Sequence, residues 1–411
     1  MIAKLGSVVA LLLSVAFLLM GNGLQGTLLP VRANLEMFAA FEVGVLGSSY
    51  YLGFVVGCIY GPSIIRPVGH IRAFAAMVAI ASSVVLCHSL LVEPVLWWLL
   101  RATTGFCFAV LFMVIESWLN EISTNDIRGT IFSAYATINL TVVALGQLML
   151  ALDEPSNFSL FALSSILVSL AAVPVALSKA AAPAPIAAAR VRIGHLYALS
   201  PVGMVGCVAF GLTVGSFWAL GPVFAYMIYG NTTGVAAFMC TVVLAGALGQ
   251  WPLGRLSDQL DRRWILALAS VGAAFAGGAM MLTLESWGHL LLLPAFLFGF
   301  CTLPLYALSV AHMNDSADPA EYVETAGGLL FVFGLGAITG PIIVSIVIAI
   351  LGLGGLFAFT TLIHAGLALF IVYRIRQRAR TPAEERTDFV SALQRAQTVA
   401  NIDPSSPAPE V

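Results

Sequence analysis

Apolar residues fill this chain in twelve runs, 6–29, 43–65, 73–92, 95–119, 130–152, 158–178, 201–228, 235–254, 264–284, 289–312, 325–351 and 354–373, separated by short polar breaks. A hydrocarbon core about 30 Å thick takes roughly 20 helical residues to cross, and each run has that length. Barrel strands would instead alternate in segments of about ten residues. The pattern therefore predicts an all-α integral membrane protein with twelve transmembrane helices, numbered here as spans 1 to 12. Run 6–29, behind Lys4, is followed by no small-residue cleavage motif and by eleven more runs, so it reads as span 1 and not as a removable leader.

Composition agrees: 60% of the 411 residues are hydrophobic and 9% charged, against about 25% charged in soluble domains. A net charge of −2 leaves no basic field for nucleic acid. The six cysteines, Cys58, Cys87, Cys107, Cys207, Cys240 and Cys301, fall inside apolar runs without a CxxC pair, which fits packing residues better than a disulfide framework or a zinc site. Neither a metal nor a cofactor is indicated. With the N-terminus inside, the alternate loops, linker and tail on that side hold all Lys and Arg except Arg32 and Arg101. The positive-inside rule then puts both termini in the cytoplasm, as for a multi-pass protein of a bacterial-type inner (plasma) membrane.

The longest internal connection, 179–200, is rich in Ala and Pro and reads as a flexible cytoplasmic linker. It separates an N-terminal six-helix bundle, 1–178, from a C-terminal one, 201–378, with a polar tail at 379–411. Disorder is expected beyond about residue 400, and Phe389, Val390, Leu393 and Val399 could form one face of a short amphipathic helix. The halves repeat: Gly-Phe-Cys at 105–107 recurs at 299–301, Asn120-Glu121 corresponds to Asn314-Asp315, and Gly146 to Gly340, all at an offset of 194. Parallel repeats of this kind build transporters in which one half rocks against the other.

Residues 254–263, GRLSDQLDRR, and their first-half counterpart 61–72, GPSIIRPVGHIR, resemble the loop signature of the major facilitator superfamily. Gly61, Arg66, Gly69 and Arg72, with Gly254, Asp258, Arg262 and Arg263, would then belong to the gating loops. RATTGFCFA at 101–109 is similar to the family's helix 4 motif, and Glu121 and Asp315 resemble its helix-end acids. VGHIRAF at 68–74, ESWLNE at 116–121, Gly146-Gln147 and YALSVAHMND at 306–315 look like the YcaD-like branch. The resemblance covers residues 1–378 and implies the fold of two pseudo-symmetric six-helix bundles and transport of a small molecule. Two departures matter: Ile65 stands where the first loop usually has Asp, and Gln147 follows Gly146 where span 11 has Gly340-Pro341.

Within the twelve runs only Arg101 and Glu116 carry a formal charge. A charge at bilayer depth costs about 3 kcal/mol on insertion scales, so it usually faces a polar cavity or a partner. Both lie on span 4, roughly 22 Å apart along the axis and on related faces. Glu116 reads either as a protonatable coupling site or as a latch to Arg66 or Arg128. Arg101 suits bidentate contact with an anion, with a structural tie to Gln25 as the alternative. The resemblance implies that spans 1, 4, 7 and 10 line the cavity, which makes Asn22, Gln25, Trp218 and Tyr306 candidate contacts. Trp118, near a span end, reads as an interfacial anchor, and His312 as structural. Asn139, Gln147, Gln250 and His364 are polar points of unknown direction. Gly53-x-x-x-Gly57 and Gly336-x-x-x-Gly340 mark close helix approaches, and the resemblance implies that spans 2 and 11 meet across the halves.

The expectation is a secondary transporter, not an enzyme: a monomer in the lipid bilayer that moves a small-molecule substrate by alternating access, coupled to protons. A receptor or assembly factor on the same scaffold, or an uncoupled facilitator, stays open as the alternative.

Overall fold

A computed structural model of the chain describes residues 2–122, 125–177, 188–189, 192–282, 288–318, 321–377, 389 and 401–402. Twelve of its helices are long and apolar enough to cross a membrane. They are Val8–Leu35, Ala40–Val68, His70–Leu90, Pro94–Glu121, Ala134–Leu152 and Phe158–Leu177 in the first half. In the second half they are Pro201–Tyr229, Thr232–Gln259, Arg262–Leu282, Leu292–Asn314, Glu324–Leu351 and Gly355–Ile375. These match the twelve runs, with several spans extended into polar flanks that the apolar count alone leaves out. Arg66 ends span 2 and Arg262 begins span 9 for this reason.

Local chemistry sets the ends. Span 7 starts at Pro201, whose missing N–H costs nothing in the first turn, and the Ser200 hydroxyl accepts from the Gly203 amide at 3.1 Å. It stops at Gly230, φ 68°, a left-handed position that glycine takes without strain. Asn231 Oδ1 then accepts from the Gly234 amide at 2.7 Å and starts span 8. Span 10 breaks between Thr302 and Leu305, where Pro304 supplies no N–H to continue the ladder.

Spans 1 to 6 and 7 to 12 pack in the same scheme. Span 1 lies against 5 and 6, 2 against 4, and 3 against 4 and 6; span 7 lies against 11 and 12, 8 against 10, and 9 against 10 and 12. This is the two-bundle pseudo-symmetry that the 194-residue offset predicts. Spans 2 and 11, 5 and 8, and 1 and 7 join the halves.

One end of the bundle, called here the basic end, carries Arg66, Arg72, Arg255, Arg262 and Arg374 near the span termini. At the opposite, far end the halves share one apolar core: Leu24, Leu28 and Leu46 of the first pack into a cluster with Phe217, Leu220, Phe224 and Val344 of the second. Towards the basic end the buried cores are separate, one around Phe74, Phe108 and Trp118, the other around Ile265, Leu305 and Leu308. Ser48 Oγ donates to the Ile338 carbonyl at 2.6 Å and pins span 2 to span 11.

The connection between the halves ends in a short helix, Ile193–Leu199. Arg192 binds Glu324 through Nε and a second nitrogen at 2.5 and 3.0 Å, and His195 Nε2 lies 3.3 Å from Glu321. Ala188–Ala189 pairs in parallel with Asn401–Ile402, the one strand pair among the described residues. The flexibility expected of the rest of the linker and the amphipathic face at Val390, Leu393 and Val399 lie outside the described residues, as does the tail expected to be disordered beyond about residue 400, except Asn401–Ile402, which form the paired strand.

Candidate functional site

Close helix approach shapes the site. Gly53 and Gly105 face each other's helices across spans 2 and 4: a Cβ at Gly53 would overlap the Ala102 carbonyl, and one at Gly105 the Tyr50 carbonyl. Without those side chains the backbones touch, and the Tyr50 ring is brought 4.5 Å from the Arg101 guanidinium carbon. Gly336 and Gly340 do the same between spans 11 and 7, against Val208 and Leu212. These glycine pairs therefore pack within each half. The seam between spans 2 and 11 is made by other residues: Gly44 against the Pro341 carbonyl and Gly334 against Val55.

Between the halves lies a cavity of about 470 Å³, lined by spans 1, 2, 4, 5, 7, 8, 10 and 11. Arg101 and Glu116 are the formally charged side chains in its lining among the described residues. Span 4 carries both, so the cavity holds a cation towards its far end and a carboxyl towards the basic end. Arg101 donates to Gln25 Oε1 at 3.3 Å; the tie to Gln25 and the cavity-facing position coexist. Gln25 itself is buried behind Arg101, whereas Asn22, one turn before it, lines the cavity, as do Trp218 and Tyr306. Glu116 is 2% exposed, and the Tyr135 hydroxyl lies 3.5 Å from its Oε1.

Asn139, Gln147 and Gln250 also reach the cavity, while His364 does not. It is buried against Thr302, 3.4 Å from its Nε2. Amide oxygens of Asn22, Asn139 and Gln147 have no hydrogen-bond partner among the described residues. Unpaired buried amide atoms are rare and costly in a finished core, and here three of them belong to cavity-lining side chains. Aromatic rings cover the wall between them: Tyr51 meets Phe333 at 6.0 Å, Phe333 meets Phe210 at 5.6 Å, and Tyr306 stacks on Phe210 at 5.5 Å. Tyr50, Tyr51, Tyr135, Phe210 and Phe333 were not legible as site residues. The available signal was a tyrosine hydroxyl at bilayer depth, which needs a partner.

The residues of the two loops that resemble the superfamily signature sit elsewhere, at the basic end. Arg262, 2% exposed, donates to Asp258 Oδ1 and to Asp315 Oδ1, each at 2.8 Å. Arg263 pairs with Asp261 at 2.7 Å. Burial pushes the Asp261 carboxyl up, but the side-chain and backbone hydrogen bonds and the charge of Arg263 outweigh it and hold it below the ordinary value. The Phe389 amide donates to Asp258 at 3.0 Å and its ring covers Gly254. The first half differs. Ile65 is buried, Gly69 has φ 82° at the turn between spans 2 and 3, and Glu121, Arg66 and Arg72 are exposed. Gly61 packs on Met113 and Val110 of span 4. Arg66 makes no ion pair with a described residue, Glu116 included, and the side chain of Arg128 lies outside the described residues. His312 Nδ1 is 4.0 Å from Asp315 and belongs to this cluster.

Trp118 corrects an expectation. It is 1% exposed and packs on His70 and Phe74 of span 3, so it is a core residue and not an interfacial anchor. Span 3 covers that end of span 4, which the sequence alone does not show. Among the described residues no group of three His, Cys, Asp or Glu converges as a metal site.

The Major Facilitator Superfamily sequence model matches residues 206–402. The protein named Uncharacterized MFS-type transporter YcaD of Escherichia fergusonii is 25% identical over 337 residues, 81% of this chain and 87% of that protein. An MFS-type transporter of Enterobacter sp. (strain 638) is 26% identical over 339 residues, with 81% and 87% covered. Among solved structures, the nucleoside transporter NupG aligns with a TM-score of 0.73 at 13% identity, over 92% of this chain and all of that one. A bacterial homologue of the human lysosomal transporter Spinster, inward-facing and occupied, aligns at 0.75 and 14% identity, over 92% and 97%.

Proposed function

This chain resembles the major facilitator superfamily in sequence and has its fold, and we propose that it is a secondary transporter that moves a small solute by alternating access, coupled to protons through Glu116. The single observation that carries the reading is the cavity between the halves, lined by both and holding one guanidinium and one carboxyl on the same helix. A charged group in a membrane span is costly and usually faces a polar cavity or a partner, and both of these side chains line the cavity. Rocking the halves about the cavity would expose it first at one end and then at the other. The shared core at the far end, beside separate cores at the basic end, supports a scaffold whose two ends close independently. The concentration of Lys and Arg at one end supports a bacterial-type inner membrane with both termini in the cytoplasm. The chain works as a monomer in this reading, since one chain encloses the cavity.

Glu116 serves coupling because its access to water changes as the halves move, so that a proton taken up at one side is released at the other. The Tyr135 hydroxyl lies 3.5 Å from the carboxyl. The test is proton release from the purified protein in weakly buffered detergent, wild type beside Glu116→Gln, with a panel of anions, amino acids, sugars and hydrophobic cations. A ligand-triggered proton signal that vanishes in Glu116→Gln supports coupling. Ligand binding with no proton change in either protein removes Glu116 from the mechanism and leaves an uncoupled facilitator or a receptor.

A further inference from the structure

The cavity also carries information about what it takes. Arg101 faces it as a cation whose neighbours are neutral: the Gln25 amide at 3.3 Å and the Tyr50 ring at 4.5 Å. None of the ion pairs formed by the described residues includes it. Glu116, the one carboxyl in the lining, is fifteen residues along the same helix, roughly 22 Å away. A guanidinium desolvated without a counter-charge is costly, and a ligand anion removes that cost. One cation balances one negative charge, so a dianion would bring in an excess charge and a cation would meet only repulsion at this end.

The rest of the lining gives the body of the ligand. From Arg101 the wall continues through Tyr50 and Tyr51, 5.4 Å apart, to Phe333, Phe210 and Tyr306, whose ring centroids lie 5.4 to 5.6 Å from one another. Tyr50 and Tyr51 come from the first half and the other three from the second. A flat apolar group laid against this wall would touch both halves at once, and aromatic rings gain most from such faces. A sugar would need a dense set of hydrogen-bond groups where these rings stand. The unpaired amide oxygens of Asn22, Asn139 and Gln147 are few and scattered, which suits one or two ring substituents and not a polyol. A volume of about 470 Å³ is at the small end of ligand sites and suits one or two rings.

We propose that the cavity binds monocarboxylates with a planar aromatic body, the carboxylate on Arg101 and the ring on the wall of Tyr51, Phe333, Phe210 and Tyr306. This rests on reading the cavity as the transport site, and the experiment separates the two. Binding of benzoate, indole-3-acetate, cyclohexanecarboxylate, succinate, glucose and tetraphenylphosphonium to the full chain in detergent is measured by calorimetry, and uptake of whichever probe binds is measured in proteoliposomes. Saturable binding of indole-3-acetate or benzoate is expected below about 1 mM, the upper range of transport and enzyme affinities. Arg101→Ala should weaken it about ten- to a hundredfold, the loss expected for charge-assisted hydrogen bonds. Arg101→Lys, which keeps the charge and loses the planar fork, should fall between. Phe333→Leu with Tyr306→Leu should cost about three- to tenfold while leaving Arg101 in place, and a thermal melt of each variant confirms folding.

Cyclohexanecarboxylate bound as tightly as benzoate overturns the aromatic part. Preferential binding of succinate, glucose or tetraphenylphosphonium overturns the charge assignment, as does unchanged affinity in a folded Arg101→Ala. No saturable binding of either aromatic acid overturns the proposal outright. Binding that responds to Arg101 without uptake in liposomes leaves this site standing and counts against the transporter reading instead.

Discussion

Arg262→Ala is the sharpest perturbation of the basic end. The guanidinium is buried and spans two carboxylates at 2.8 Å each, but the two contacts are unequal: the Asp315 side chain is 2% exposed and that of Asp258 34%. The half-exposed pair contributes at most about 1 kcal/mol, since water and salt screen it. The buried pair behaves differently. Removing one partner of a buried pair costs about 3–5 kcal/mol, so nearly all of the effect passes through Asp315. The assay is equilibrium unfolding in mixed detergent micelles, run on a double-mutant cycle. Arg262→Ala should lose about 3–5 kcal/mol and Asp258→Asn no more than about 1 kcal/mol. Arg262→Met combined with Asp315→Leu should recover most of the loss, because an apolar pair of similar volume needs no desolvation compensation. Arg262→Ala within about 1 kcal/mol of the wild type, or a double variant as unstable as the single one, would refute the argument.

Two further outcomes follow from the packing and the charges. Gly105→Ala should destabilise by about 1–3 kcal/mol or more, because its Cβ meets the Tyr50 backbone carbonyl, which cannot rotate away. Gly278→Ala, with open space around it, should be neutral or stabilise by up to about 1 kcal/mol; equal melting of the two variants would contradict the close approach of spans 2 and 4. Asp261 has a folded-state pKa below its unfolded value because the bonds from Arg263 outweigh burial. Its contribution is therefore complete above the unfolded value of about 4 and lost as pH falls through the lower folded value. Melting of wild type against Asp261→Asn should differ by a constant amount from neutral pH down to about 5 and converge in stronger acid. A gap that instead closes on the alkaline side would reverse the sign of the reasoning.

Some of this molecule was open to sequence reasoning and some was closed to it, for physical reasons. Span number follows from length and apolarity alone, and the twelve runs became twelve helices. The two charges in span 4 stood out because a charge at depth is expensive whatever surrounds it. Facing is another matter. A span that is apolar all round has no hydrophobic phase, so nothing in the run 43–65 separates Tyr50 and Tyr51, which reach the cavity, from Tyr60, which is exposed on the outer surface. The glycine repeats mark close helix approaches, as the structure shows, but their spacing announces a close neighbour without saying which. Gly53 and Gly57 proved to face span 4 of their own half. Trp118 was misread because proximity to a span end says little once a neighbouring helix covers that end.

The duplication shows how far correspondence can be taken. An offset of 194 aligns Asp315 with Glu121, and the loop offset of 193 aligns Asp258 with Ile65 and Arg262 with Gly69. The backbone obeys the alignment in its packing, since both halves pack in one scheme, although the loop after span 2 turns on Gly69 at φ 82° and the loop after span 8 turns through Leu260 at φ −105°. The chemistry does not. In the second half a buried guanidinium holds two acids; in the first, Gly69 takes the turn at positive φ, Ile65 packs into the core and Glu121 faces outward. A repeat that kept the fold contact has lost the charges that a buried contact would need. Replacing a buried ion cluster by apolar packing is often neutral or stabilising, so the loss needs no compensating ion pair elsewhere. The asymmetry extends to span 4 itself. Glu116 has no acidic counterpart at Val310 and Arg101 no basic one at Ala295. Pseudo-symmetry thus accounts for where the helices lie, whereas the formally charged side chains that line the cavity among the described residues belong to one half alone.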